Sequence, residues 1–261
     1  MMDEITLDRI MRYPVKGLSG QEVELTELIT DRPLSHDRAF AIATSASQFD
    51  PAEPGWVSKQ GLAQLAKHER LAQLATEYDP STTELTINRN GRKVTSGKLN
   101  DQTGKLVVEN FLDAFLGDDV PGHPRIITAP DTAFTDVKRP YLSILNLATV
   151  AEISRMAEID LDPIRFRANL YITGAPAWAE RNWIGSRMTV GPAVLEIEQP
   201  IDRCAATSVN PETATRDINL PQFLRRRFVH IECGVYARVT HSGTISPGDP
   251  ITVSDMELDR S

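Results

Sequence analysis

The sequence is poor in cysteine and contains no long apolar run. Only Cys204 and Cys233 are present among 261 residues, and no apolar stretch approaches the ~20 residues that a membrane-spanning helix requires. The opening MMDEITLDRI also lacks the basic and apolar regions of a secretory signal. Since these features indicate a reducing compartment, we expect a cytoplasmic protein with two free thiols and no membrane partner.

Positive charge and clustered metal ligands are also scarce. The 28 Lys and Arg residues are outnumbered by 36 Asp and Glu residues, which gives a formal net charge of -8. We expect no nucleic-acid partner, because phosphate-rich surfaces bind clustered positive charge. The five histidines are scattered, and no CxxC, HxH or HExxH spacing predicts a zinc site. Any basic site must therefore be local.

The pattern of apolar residues predicts a mainly β fold (α+β) with a few packed helices. Short β-prone segments separated by turns favour a barrel or a sandwich. The clearest of them is a hairpin over residues 84–96, because Asn90-Gly91 supplies the positive backbone angles of a tight turn. The other predicted strands are residues 5–13, 23–29, 38–43, 165–173, 188–190, 193–199, 228–231 and 234–240, with a last strand after Pro247-Gly248.

Two segments carry apolar residues at helical spacing. These are residues 104–117, which glycines bracket, and residues 143–159. A polar, proline-containing stretch separates them, and it predicts a domain boundary near Thr132.

Cys204 is the first candidate functional residue. It follows Arg203 and precedes Thr207, just after an apolar strand. A small buried residue at a strand end is one interpretation. The other is a thiolate, since a neighbouring arginine lowers the pKa of a thiol and a deprotonated sulfur is a nucleophile or a ligand for a soft metal. Cys233 lies within a β-like run, which favours a structural role.

The second candidate is the segment Arg165-Phe166-Arg167-Ala168-Asn169. Alternation along a strand would place Arg165, Arg167 and Asn169 on one face, where guanidinium groups suit an anionic ligand. A solvated face with an ion pair is the alternative.

Three further basic segments are weaker candidates on their own. Lys16-Gly17 follows a strand and could hold a phosphate through backbone N–H groups, although the spacing is not that of a P-loop. Arg38 lies at a strand start. The run Arg225-Arg226-Arg227 indicates a solvated helix end, with a phosphate contact as the alternative.

In chain order, the segments YPVKGL, DRAF, RFRANLYITG, WAE, WIG, RCAATSVNPET and GTISPGDPI resemble the MOSC domain proteins that carry an N-terminal β-barrel domain. The resemblance covers nearly the whole chain and is weakest over residues 49–130. It implies two barrel-like β parts, an N-terminal domain over residues 1–131 and a MOSC β-barrel domain over residues 132–261, with a cofactor in the cleft between them.

The same resemblance implies the residues of the site. Cys204 would be the molybdenum ligand of a molybdenum cofactor and the catalytic residue. The cofactor-binding residues would be Lys16, Gly17, Arg38, Arg167, Asn169, Arg203 and Thr207. Ala168 departs from the family pattern, which has a proline there, and Gly17 stands where some relatives have a serine.

The activity implied by the resemblance is oxidoreduction. The substrate would be a small N-hydroxylated or other N-oxygenated molecule, and the electrons would come from a separate flavin or iron-sulfur protein. The alternative is a carrier that holds molybdenum cofactor, or a persulfide on Cys204, without reductase turnover.

Overall fold

The computed structural model describes residues 4–255, which form fifteen strands and three α-helices. The strands are β1 (Thr6–Arg12), β2 (Gln21–Glu22), β3 (Thr26–Leu28), β4 (Phe40–Ala43), β5 (Leu74–Asp79), β6 (Glu84–Arg89), β7 (Arg92–Lys98), β8 (Arg125–Thr128), β9 (Leu142–Asn146), β10 (Leu170–Thr173), β11 (Ser186–Val190), β12 (Ala193–Asp202), β13 (Glu232–His241), β14 (Gly243–Ile245) and β15 (Ile251–Asp255). The helices are α1 (Gln102–Leu116), α2 (Leu147–Ala157) and α3 (Leu220–Phe228). The predicted mainly β fold class with a few helices is confirmed.

A curled, half-barrel sheet of eight strands organises the fold. Its order is β15-β11-β12-β13-β9-β10-β1-β2, and β9 and β10 are its parallel neighbours. The sheet curls so that its β15 end approaches β1: the N–H of Leu7 donates to the carbonyl of Asp249 (3.0 Å) and the N–H of Ile251 donates to the carbonyl of Ile5 (2.8 Å). Alternate apolar residues of its strands fill the interior, as the period of a strand requires.

A second core lies under two smaller sheets. These are β5-β6-β7 and the pair β4-β8, and α1 packs against them. The carboxylate of Asp101 accepts a hydrogen bond from the N–H of Gly104 (2.9 Å) and caps the start of α1. Gly97 of β7 and Gly104 of α1 let the two backbones meet, since a Cβ on Gly104 would lie 2.3 Å from the carbonyl oxygen of Lys98.

Most local predictions are confirmed, and three are corrected. The hairpin forms with positive φ at Asn90 and Gly91, and α1 lies where the first helix was predicted. In the segment 143–159, the helix begins only at Leu147, because Asn146 ends the buried strand β9 and its side chain accepts from the N–H of Ala148 (3.1 Å). The other two corrections concern residues 165–173, where the strand is limited to residues 170–173, and residues 228–231, where Phe228 ends α3 and residues 229–231 connect it to β13.

The division of the chain at Thr132 stays a prediction. The large sheet takes β1 from the first part of the chain and places it between β10 and β2. Among the helices within residues 4–255, none has both the length and the apolar character needed to span a bilayer.

We expect Gly104→Ala to destabilise the protein by about 1–2 kcal/mol. Alanine is the better helix former by about 1 kcal/mol, but its methyl group would collide with the backbone of β7, and overpacking of this kind costs about 1–3 kcal/mol. Urea unfolding measures the change, with Gly55→Ala as the control, because a Cβ there would lie no closer than 4.0 Å to a neighbouring atom, the carbonyl oxygen of Glu53. A stabilised Gly104→Ala protein would contradict the close approach.

Candidate functional site

One cleft collects all the residues predicted for the site. Its empty space, counting the open solvent at its mouth, is about 830 Å³. The predicted residues that line it are Lys16, Gly17, Arg38, Arg167, Asn169, Arg203, Cys204 and Thr207. The sequence places these residues far apart, and the fold brings them together.

Cys204 follows the end of β12 and begins a short 3-10 helix, Ala205–Ser208. Its side chain is half-buried. Thr207 fixes this turn, because its N–H (3.1 Å) and its hydroxyl (2.8 Å) both donate to the carbonyl of Cys204. Cys233 differs, since burial raises the pKa of its thiol to about 12. Of the two cysteines, only Cys204 faces the cleft.

Arg203 is buried beside Cys204 and joins three segments. Its Nε donates to the carbonyl of Cys233 (2.7 Å), and its Nη1 donates to the carbonyl of Phe166 (2.9 Å). The guanidinium also lies over the ring of Phe166, 5.3 Å from its centroid. Its Nη2 is buried and has no hydrogen-bond partner among residues 4–255.

Arg167 and Arg38 share the ring of Tyr13. Their guanidinium carbons lie 4.3 Å and 4.6 Å from its centroid. Arg38 pairs with buried Asp37 and donates to the carbonyl of Arg167 (2.8 Å). The pKa of Arg167 is lowered to about 10, mainly by burial; Tyr13 opposes this shift and the charge of Arg38 adds to it. The Nη2 of Arg167 is also buried without a partner in the described part of the chain.

The predicted strand face of Arg165, Arg167 and Asn169 is wrong. Pro163 begins a 3-10 helix that ends at Phe166, and Arg167 is left-handed with a φ of 54°. The side chains therefore point differently, although all three line the cleft.

Two of these side chains are held by the protein itself. Arg165 forms a two-point ion pair with Asp217, both contacts at 3.0 Å. Asn169 accepts hydrogen bonds from the N–H (3.1 Å) and the hydroxyl (2.9 Å) of Ser143 and donates to the carbonyl of Met11 (3.2 Å). A contact of Asn169 with a cofactor stays a prediction.

Lys16 and Gly17 enter the cleft from the other side. Gly17 has a φ of 90°, and a Cβ there would lie 2.9 Å from the carbonyl oxygen of Ala63. The glycine is thus needed for packing against residues 63–64. Lys16 is buried, and its Nζ lies 2.6 Å from the carboxylate of Asp136.

Sequence reasoning missed Asp136 and Lys59. Asp136 bridges the two lysines, since Lys59 also lies 2.6 Å from its carboxylate. Burial alone would raise the pKa of Asp136, but Lys16 and Lys59 outweigh this effect and hold the pKa well below its ordinary value of 3.8. Burial lowers the pKa of Lys16, which Asp136 opposes in part. The irregular loop around Asp136 carries no periodic pattern, so this bridge could not be predicted from the sequence.

The arrangement fits an anionic group bound beside a thiolate. Carboxylates balance the positive charges of Arg38 and Arg165. Arg167 and Arg203 belong to no ion pair in the part of the chain that the structure describes. Each of the latter two keeps a buried N–H group without an acceptor, and such groups are costly unless a ligand satisfies them. Guanidinium groups bind phosphate strongly, and a thiolate binds a soft metal.

We expect Asp136→Asn to lower the free energy of unfolding by about 1 kcal/mol at pH 7. The effect is small because the carboxylate is partly exposed and water screens its attraction to the two lysines. The depressed pKa makes the ionised carboxylate stabilising above pH 3.8, and this contribution is lost as the pH falls below 3.8. Urea midpoints of wild type and variant should therefore converge in acid. Asp118→Asn, an exposed site, is the control, and a difference that grows in acid would contradict the assignment.

Comparison with known proteins identifies one family. Residues 131–252 match the model of the MOSC domain. The chain is 26% identical over 131 residues to mitochondrial amidoxime-reducing component 1 of Homo sapiens, a match that covers 46% of this chain and 38% of that protein. The Mus musculus protein of the same name is 25% identical over 136 residues, covering 48% and 39%. The matches therefore span well under half the length of these relatives.

Solved structures show weaker likenesses. The YUAD protein from Bacillus subtilis has a TM-score of 0.47 at 12% identity and covers 97% of each chain. YiiM from Geobacillus stearothermophilus has a TM-score of 0.36 at 17% identity and covers 45% of this chain and 56% of that one. The second half of the chain contains a MOSC domain, over residues 131–252.

Proposed function

We propose that this protein binds the molybdenum cofactor in the cleft, with Cys204 as the protein ligand of molybdenum, and that it reduces small N-oxygenated molecules. One observation carries the proposal. The half-buried thiol of Cys204 shares a cleft with two guanidinium groups, those of Arg167 and Arg203, that each keep a buried donor without an acceptor. The MOSC domain and the relatives named as amidoxime-reducing components support it.

Each residue has a separate task in this proposal. Cys204 supplies a soft sulfur ligand, and Thr207 holds the turn that presents it. The Nη2 atoms of Arg167 and Arg203 donate to an anionic part of the cofactor. Lys16 and Arg38 add positive potential, although each has a carboxylate neighbour. When bound, the cofactor supplies the two-electron chemistry of oxygen-atom transfer.

The substrate class follows from the relatives' name and from this chemistry. Reduction of an amidoxime breaks its N–O bond, consumes two electrons and two protons, and gives an amidine and water. In this proposal the electrons come from a separate flavin or iron-sulfur protein.

Cys204→Ala should abolish molybdenum binding, because it removes the sulfur ligand. Protein made in a host that synthesises the cofactor is assayed for molybdenum by mass spectrometry and for pterin by fluorescence. Cys233→Ala is the matched control, since this thiol is buried away from the cleft. Equal molybdenum in wild type and Cys204→Ala would contradict the assignment.

Turnover separates the enzyme from a carrier. Wild type loaded with cofactor should reduce an aryl amidoxime with a reduced viologen dye as electron donor. Stoichiometric molybdenum without turnover would favour a carrier of the cofactor over a reductase.

Arg167→Met should lower the retained pterin and molybdenum by about tenfold, a loss of one charged hydrogen bond. Methionine keeps an unbranched apolar stem but removes the guanidinium group, and with it the free donor and the contact with the Tyr13 ring. The exposed Arg92→Met is the control. Unchanged cofactor content after gel filtration would show that Arg167 does not contact the cofactor.

A further inference from the structure

A cluster of aromatic side chains lies half-exposed around the end of α3. The ring of Phe228 lies 4.6 Å from that of Trp178, 6.5 Å from that of Phe223 and 6.1 Å from that of His230. His230 also meets Trp178 edge to face at 5.3 Å. None of the four is fully buried. Aromatic side chains in such partly exposed groups are enriched at protein interfaces.

Three exposed arginines border this cluster. Arg225, Arg226 and Arg227 form the last turn of α3, and none of them takes part in an ion pair within residues 4–255. The chain as a whole carries a net charge of -8, so three adjacent unpaired cations are a local exception. Arginine and aromatic residues are also the types that dominate binding energy in interfaces.

Two bulky residues of this surface are held in an unfavourable backbone conformation. Val229 and Trp178 both have a φ of 66°, in the left-handed region that β-branched and bulky residues rarely adopt. Val229 is also 89% exposed, so burial of its side chain does not compensate for the strain. Strain of this kind concentrates at functional sites. The positions therefore suit a role outside the stability of the fold.

The backbone of this surface is hydrogen-bonded to a segment that lines the cleft. Residues 228–231 lead directly into β13, and the carbonyl of Ile231 accepts a hydrogen bond from the N–H of Arg203 (2.9 Å). Asp202 pairs with Glu232 in the same ladder. The segment that carries Val229 is therefore one hydrogen bond away from the residue that precedes Cys204.

From these observations we propose that Arg225, Arg226, Arg227 and Val229, with the aromatic cluster, form the docking surface for an acidic electron-donor protein. This inference rests on the proposed function, and the partner is identified by its negative charge. Arginines steer an acidic protein to the surface, and the apolar residues form its core. The excess of negative charge elsewhere on the chain repels a nucleic acid. Two one-electron donors, or one two-electron flavin, supply the electrons that break the N–O bond.

The test compares two electron donors on the cofactor-loaded protein with an aryl amidoxime. One donor is a reduced, acidic plant-type ferredoxin, and the other is a reduced viologen dye that needs no docking surface. The triple variant Arg225→Glu, Arg226→Glu and Arg227→Glu should raise the KM for ferredoxin at least tenfold and leave viologen-driven turnover unchanged.

A matched control changes the charge by the same amount elsewhere. Arg92→Glu, Lys93→Glu and Lys98→Glu alter three exposed cations of β7, on the small three-stranded sheet. This variant should keep the wild-type KM for ferredoxin. Equal KM values for ferredoxin in the two triple variants would contradict the proposed docking surface. The proposal would also be contradicted if the wild-type protein accepted electrons from viologen but not from ferredoxin. Absence of viologen-driven turnover would instead count against the proposed function.

A second variant separates docking from folding. Glycine adopts a positive φ without strain, so Val229→Gly should raise the melting temperature while it raises the KM for ferredoxin several-fold. If Val229 had a purely structural role, the substitution would change the melting temperature without raising the KM for ferredoxin. A more stable variant with an unchanged KM for ferredoxin would show that Val229 is not part of the docking surface.

Discussion

The burial of the Arg203 guanidinium is the constraint on which the cleft depends. A buried charge is tolerated only where hydrogen bonds replace its hydration. Here the carbonyls of Cys233 and Phe166 replace part of it, and in doing so they fasten the end of β12 to β13 and to the turn before β10. Gly234 makes room for this contact, because a Cβ there would lie 3.0 Å from Nη2 of Arg203. The position of Cys204 follows from that of its neighbour.

The carboxylates of the site determine where positive charge remains available. Asp37 offsets Arg38, Asp217 offsets Arg165, and Asp136 offsets two lysines. Arg167 and Arg203 have no carboxylate partner within residues 4–255, and each keeps a buried Nη2 donor without an acceptor. A cleft of this kind does not present a uniform basic surface. It directs a small number of hydrogen bonds at one part of a ligand, which favours geometric recognition of an anion over general attraction.

The sequence predicted those features that depend on local chemistry. Asn90-Gly91 identified the hairpin, and glycines with apolar spacing identified α1, because turns and helix periods are properties of neighbouring residues. The face of Arg165, Arg167 and Asn169 was predicted wrongly, since Pro163 begins a 3-10 helix that no alternation reveals. The residues lining the cleft were found through motifs of the resembling family. Asp136 was missed because its role depends on lysines distant in the chain.

The cleft requires both ends of the chain because of the way β1 joins the large sheet. The N–H of Met11 donates to the carbonyl of Asn169 (2.7 Å), and the side chain of Asn169 returns a bond to Met11. The segment that follows β1 then carries Tyr13, whose ring lies under Arg167, and Lys16, which lines the cleft together with Cys204. Since Arg167 lies on Tyr13, a guanidinium of the MOSC domain is oriented by a ring from outside it. The MOSC domain alone therefore lacks the ring against which the guanidinium of Arg167 packs.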